Sequence, residues 1–147
     1  MTTRYARSFK ELQVYQKARE VTRTTFRVST TFPKEEMYSL TDQMRRSARS
    51  VGTQIAEAWG KRRYEKHFVS KLTAADAEQM ETQHWVGEAL DCGYLSAGDA
   101  AQLISSLEEI GRMLNSMIAK ADLFCGATDY ILRESTVVYF TAATTDY

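Results

Sequence analysis

The chain has 147 residues, 44% hydrophobic and 26% charged, with 19 Lys+Arg against 19 Asp+Glu and a formal net charge of zero. That length suits one domain with a substantial core, and one Pro and 7 Gly are too few for a loop-rich all-β fold. Zero net charge argues at first against a protein that coats nucleic acid, which is ordinarily basic. The total hides a split. Residues 1–71 carry 16 Lys/Arg and 7 Asp/Glu, whereas residues 72–147 carry 3 and 12. Opposite surpluses in the two halves point to a charged face or a charged partner, or to attraction between the halves within one bundle.

Residues 1–8 hold no apolar signal core, and no run approaches the roughly 18 apolar residues of a membrane span. A cytoplasmic protein with no membrane partner is expected. Ser8-Phe9-Lys10-Glu11 has capping-box spacing and predicts the start of a first helix, running to about Thr30 through Leu12, Tyr15, Ala18, Thr22, Thr25 and Phe26. Its β-branched residues make it a mediocre helix by propensity, so packing must hold it. Phe32-Pro33 ends it.

A second helix is predicted from about Lys34 to Arg63, with Leu40, Met44, Ala48, Val51, Ile55 and Ala58 at helical spacing. Small residues between them, Ser47, Ser50, Gly52 and Ala56 among them, invite close approach of a neighbour. A third helix is predicted from about Glu65 to Asp91. Its stripe is Phe68, Leu72, Ala75, Val86 and Leu90, with Gln79 and Gln83 on the same side. Gly93 supplies a left-handed stop. Ser96 and Asp99 then have capping-box spacing for a fourth helix. Its heptad-like seam runs from Ala100 through Leu103, Leu107, Ile110, Leu114 and Met117 to Ala121, ending near Phe124-Cys125-Gly126.

Four amphipathic helices with short connections predict an all-α fold: an antiparallel up-down-up-down four-helix bundle over residues 9–125. An N-terminal segment, 1–8, precedes it. A C-terminal tail, 126–147, follows as an extended or loosely ordered extension, with a strand-like run from Thr136 to Thr141. Cys92 and Cys125 fall at opposite ends of one long helix, which excludes a disulfide between them.

Catalytic chemistry finds little footing. Glu81-Thr82-Gln83-His84 is a single Glu-x-x-His, and a di-iron bundle needs two. His67, the other histidine, has Tyr64 three residues before it. There is no phosphate-binding glycine loop and no nucleophile–histidine spacing. No catalytic residue, metal ligand or cofactor is therefore assigned, and the chain is expected not to be an enzyme.

The basic residues are more informative. Arg19, Arg23 and Arg27 recur every four residues on the first helix. Arg45, Arg46 and Arg49 cluster on the second. Lys61, Arg62, Arg63 and Lys66 cluster between the second and third, beside Trp59 and Tyr64. Arginines among aromatics bind phosphates and stack on bases. Alternatively, they pair with acids on the third and fourth helices. Gln54, Gln79 and Gln83 are amides at or beside core positions and need partners: one another, Glu57, or a neighbouring subunit. Trp59 and Trp85 flank the apolar stripes, a common place for an interface aromatic or for a ring lying over its own bundle. Trp59, Trp85, Gln54 and Gln83 are the candidate interface residues.

Several runs together resemble a known family. Phe9-x-x-Leu12-x-Val14-Tyr15-Gln16-x-Ala18 comes first, then Phe32-Pro33-x-Glu35-x-Met37-Tyr38-x-Leu40. Gln43-Met44-Arg45-Arg46-Ser47-Ala48-x-Ser50-Val51-x-x-Gln54-Ile55-Ala56-Glu57-Ala58 follows, and then Glu81-Thr82-Gln83-x-Trp85 and Gly93-Tyr94-Leu95. In this order, from about Phe9 to Cys125, they resemble the bacterial four-helix-bundle proteins encoded by intervening sequences of 23S rRNA genes. Gln54 departs from the pattern, which usually has Asn there. The resemblance implies a homo-oligomer, specifically a homopentamer. The family is similar to the accessory protein of diversity-generating retroelements, which implies RNA or DNA and a reverse transcriptase as partner classes. The expectation is thus a non-enzymatic bundle offering Arg45, Arg46, Arg49, Lys61, Arg62, Arg63 and Lys66 to RNA or to an RNA-handling partner. The alternative is a protein–protein adaptor whose charges are used between subunits.

Overall fold

A computed structural model describes residues 6–125. The expected tail, with its strand-like run, lies outside the described residues, as do residues 1–5 of the N-terminal segment. Four long helices dominate: α1 (Gln13–Ser29), α2 (Asp42–Gly60), α3 (Glu65–Asp91) and α4 (Ala97–Ala119), followed by one short turn of helix, α5 (Ala121–Phe124). Each long helix packs on its chain neighbours, and α4 closes back on α1. That is the up-down-up-down arrangement expected of sequential amphipathic helices with short connections.

The structure departs from the expected helix boundaries at four places, the start of α1, both ends of α2 and the end of α4. Ser8 Oγ accepts from Lys10 N–H at 3.1 Å and Glu11 Oε2 from Arg7 N–H at 2.8 Å, but these bonds cap only a 3-10 turn, Phe9–Glu11. Leu12 is then extended (φ −67°, ψ 129°) and buried, so the chain breaks before α1 begins. The second helix was expected from Lys34. Instead a 3-10 turn, Lys34–Glu36, and a π-turn, Met37–Thr41, precede α2. The π-turn buries Leu40 and Thr41 and leaves Tyr38 81% exposed. At its other end α2 stops at Gly60 rather than Arg63. Lastly, α4 ends at Ala119, and Lys120 (φ −115°, ψ 27°) turns the chain so that α5 carries Phe124 onto Phe68. Those rings stack with centroids 5.5 Å apart and close that end of the core.

The α2 seam is the expected one: Met44, Ala48, Val51, Ile55 and Ala58 are all buried. The α3 stripe is the expected one at Phe68, Leu72, Ala75, Gln79 and Val86 and differs at two positions, with Thr82 and Ala89 in place of Gln83 and Leu90. Phe68, Leu72, Ala75, Gln79, Thr82, Val86 and Ala89 are buried in strict alternation of four and three, while Leu90 is 39% exposed and Gln83 lies at the flank. Thr82 tolerates burial because its hydroxyl donates to Glu78 O at 2.8 Å and lies 2.9 Å from the Ser47 hydroxyl of α2. Ser96 Oγ accepts from Asp99 N–H at 3.1 Å and caps α4, and Gly93 adopts φ 77° after α3.

Between α3 and α4 runs a ladder of amides. Gln83 Nε2 donates to Gln79 Oε1 (2.7 Å), and Gln79 Nε2 donates to Asp76 Oδ1 (2.9 Å). Asn115 Nδ2 donates to Asp76 Oδ2 (3.3 Å) and to Gly111 O (2.8 Å). Gln79 and Gln83 thus find each other, as expected. The ladder fits because position 111 has no side chain: a Cβ there would lie 2.8 Å from Gln79 Nε2 and 3.2 Å from Asp76 Oδ1. Gly111→Ala is expected to lower stability by about 1 kcal/mol, because unpairing the buried Gln79 amide (about 1–3 kcal/mol) outweighs a helix-propensity gain of about 1 kcal/mol. In a Gln79→Ala background the same substitution is expected to stabilise. Urea midpoints of the two single variants, the double variant and the parent check that reversal of sign.

Candidate nucleic-acid interface

The bundle turns the sequence split into surfaces. Of the ten Lys and Arg on the four long helices, seven are on α1 and α2, which lie side by side, and of the twelve Asp and Glu nine are on α3 and α4, on the opposite side. The two meet along the α1/α4 and α2/α3 seams. There Lys17 Nζ reaches Glu109 Oε2 at 2.6 Å, and Lys71 Nζ reaches Glu57 Oε2 at 2.7 Å. Also at the α2/α3 seam, burial and then the nearby Glu81 push the Glu78 carboxyl above its ordinary range, against an opposing hydrogen bond with Ser50.

Among the described residues, Arg19, Arg23, Arg27, Arg46, Arg49, Lys61, Arg63 and Lys66 make no ion pair. Arg19 and Arg49 line one groove of about 550 Å³ between α1 and α2, together with Tyr15, Thr22, Gly52, Thr53 and, as its one acid, Glu57. Gly52 lies against the Tyr15 ring, whose Cε2 would be in ordinary contact, 3.6 Å, with a Cβ at position 52. A second groove of about 520 Å³, between α1 and α4, sets Arg23 and Arg27 beside Glu20 and opposite Gln102 and Ser106. Arg19 belongs with the candidate cations. The sequence signal for it was the four-residue spacing, which does not say which helix lies alongside.

The seven candidate cations divide into two groups. Arg45, Arg46 and Arg49 lie on the α1/α2 side. Lys61, Arg62, Arg63 and Lys66 lie at the α2–α3 turn, about 18 Å along the α2 axis from Arg49 to Lys61 at 1.5 Å per residue. Two of the seven have structural engagements. Arg45 Nε donates to Ser29 Oγ at 2.8 Å, and its guanidinium lies 4.6 Å from the centre of the Phe26 ring. Arg62 Nε donates to Trp59 O at 2.9 Å, and its guanidinium lies 3.6 Å from the Trp59 ring.

The candidate interface residues are all half-buried. Trp59 and Trp85 both pack on the bundle's own core. Trp85 meets His84 edge to face at 4.8 Å, and its Nε1 is buried with no partner among the described residues. Gln54 Oε1 is likewise buried without a partner, so the pairing expected of Gln79 and Gln83 does not extend to it. Among the described residues, no group of three or more His, Cys, Asp or Glu is placed to hold a metal ion. His84 lies 3.9 Å from Glu88 on the surface. None of the helices described is long and apolar enough to cross a membrane.

Both cysteines are free. Cys92 is exposed, whereas burial first, and then Glu65, push the Cys125 thiol up to about 11 against the opposing pull of Arg62. A thiol raised in this way stays protonated from neutral pH to about pH 10, and only the thiolate reacts with alkylating agents. At pH 8 iodoacetamide is therefore expected to label Cys92 first, with Cys125 slower by about 100-fold until the protein is unfolded. Peptide mass mapping over a time course checks this.

The two kinds of arginine also separate by stability. Arg45→Ala is expected to cost about 1 kcal/mol, from the lost Ser29 hydrogen bond and Phe26 contact. Arg46→Ala, at an exposed position, is expected to leave the thermal midpoint unchanged, and paired melts distinguish the two.

A comparison with protein families matches residues 10–116 to the family described as 23S rRNA-intervening sequence protein. No curated protein matches the chain.

Proposed function

Since this chain belongs to the 23S rRNA-intervening sequence protein family, we propose that it is a non-enzymatic, self-associating bundle that contacts RNA through its α1/α2 face and its α2–α3 turn. The observation that carries this is the fate of the cations. Lysines at the two seams take up acids, whereas Arg19, Arg23, Arg27, Arg46 and Arg49, all on α1 and α2, make no ion pair among the described residues. Clustered cations repel one another and raise the local concentration of an anionic partner. RNA phosphates suit arginines spread along two open grooves better than a small ligand does, because neither groove encloses its contents. A net charge of zero is compatible with this, because the acids stand on the other side of the bundle.

We propose also that copies associate side by side into a homopentamer, as the resemblance implies, so that several basic faces act together. An RNA-handling enzyme of the reverse transcriptase type is then a partner class. A second reading is favoured by two exposed apolar side chains, Phe26 at 48% on α1 and Met80 at 56% on α3. Each is an anchor for a neighbouring subunit, and on that reading the charges serve contacts between subunits with no nucleic-acid role.

Filter binding of a structured RNA at 50 and 200 mM salt tests the proposal. Affinity is expected to fall steeply with salt, and each of Arg46→Gln, Arg49→Gln and Arg63→Gln is expected to reduce the salt slope by about 0.7 to 0.9. Absence of binding at low salt sinks the RNA reading. If, in that case, salt lowers the assembly mass, the adaptor reading stands.

A further inference from the structure

We infer that the turn joining α2 to α3 is a stacking site for an unpaired base of single-stranded RNA, with Tyr64 as the platform and Lys61, Arg63 and Lys66 on the flanking phosphates. The inference rests on the RNA reading above and assigns this end of the bundle a task different from that of the α1/α2 face. Two aromatic rings stand at this turn, and they are disposed of differently. Trp59 is half-buried and carries the Arg62 guanidinium 3.6 Å from its ring centre. Tyr64 is 59% exposed. His67 stands beside it, with centroids 5.5 Å apart and planes at 43°, and so props the ring at one side without covering it.

The platform is held in place. Tyr64 N–H donates to Lys61 O at 3.0 Å, and Tyr64 O accepts from both His67 N–H and Phe68 N–H at 3.0 Å. Phe68, four residues on, is fully buried and stacked on Phe124. The extended backbone of Tyr64 (φ −122°, ψ 104°) therefore sits on a turn anchored at both sides, and little ordering is required on binding.

Lys61, Arg63 and Lys66, all within three residues of it in the chain, are exposed, with Glu65 the one acid of that stretch. An exposed ring among cations matches the chemistry of a single strand, whose bases offer π-faces and whose backbone offers phosphates. A duplex keeps its bases stacked inside and offers phosphates alone. The α1/α2 face differs here. Its exposed aromatic, Phe26, has Arg45 over the ring, so that face presents cations to phosphates and suits single and double strands alike.

The probes are a single-stranded RNA decamer carrying 2-aminopurine and the corresponding duplex, titrated into the full chain and its variants. Tyr64→Leu is expected to weaken the single strand by roughly 5- to 100-fold and to abolish the 2-aminopurine quench, leaving duplex affinity within about twofold. Tyr64→Phe, which keeps the ring, is expected to bind as the parent does and controls for folding. The Arg46→Gln/Arg49→Gln double variant is expected to weaken both RNAs. If the parent binds neither RNA at low salt, the RNA reading falls and this site with it. If the parent binds RNA but Tyr64→Leu weakens both forms equally, or neither, the stacking site alone is overturned. A lower assembly mass for Tyr64→Leu at unchanged RNA affinity makes the ring a subunit contact and overturns it as well.

Discussion

The α3/α4 contact depends on one glycine. Apolar seams repeat every three or four residues and fit a partner helix in more than one register, because one leucine serves a groove much as another does. Amides are less forgiving, since a buried one without a partner is costly. Asp76, Gln79, Gln83 and Asn115 are paired when Gly111 lies against Gln79, and any side chain at position 111 would occupy the space of the amide. That fixes the register of α3 on α4. The same rotation of α3 puts Thr82 against Ser47 and Lys71 against Glu57, and so sets α2 as well.

From this register follows the charge pattern. Around an up-down-up-down bundle, the first two helices share one side and the last two share the other. A chain with opposite charges in its halves thereby has two seams between unlike surfaces, α1/α4 and α2/α3. Both cross-helix ion pairs of the described residues lie on those seams. One sets a lysine of α1 on an acid of α4 and the other a lysine of α3 on an acid of α2, and the arginines of α1 and α2 take no part in either. Of the two, only Lys17–Glu109 joins residues 1–71 to residues 72–147, so internal pairing between the halves coexists with arginines left for a partner.

What could be read from the residues and what could not divides along physical lines. The α2 seam from Met44 to Ala58, the Ser96 cap, the Gly93 stop and the span of α3 were all legible, because helical spacing, capping and left-handed glycine are properties of one short segment. The break at Leu12, the π-turn at Met37–Thr41 and the turn at Lys120 were not. In two of these the chain gives up helical hydrogen bonds to place Leu12 or Phe124 in the core, and that benefit depends on side chains far away in sequence. The α3 stripe was misread by one position near its end for a related reason. Leu90 is more apolar than Ala89, and Gln83 is no worse a core residue than Thr82, until the Ser47 hydroxyl of α2 supplies Thr82 with a partner.

For the candidate interface, residue types and their spacing by themselves determined four helices, the opposite charge of the two halves, and three basic clusters with aromatics beside one of them. Tertiary structure alone decided which cations share a surface. It joined Arg19 to Arg49 across a groove and set the Arg45 guanidinium of α2 over the Phe26 ring of α1. It also covered Trp59 while leaving Tyr64 open. The reason is that helical periodicity is local and tells which residues share a face of one helix. Which other helix that face meets, and at what register, is settled only when distant residues pack and every buried polar group must find its partner.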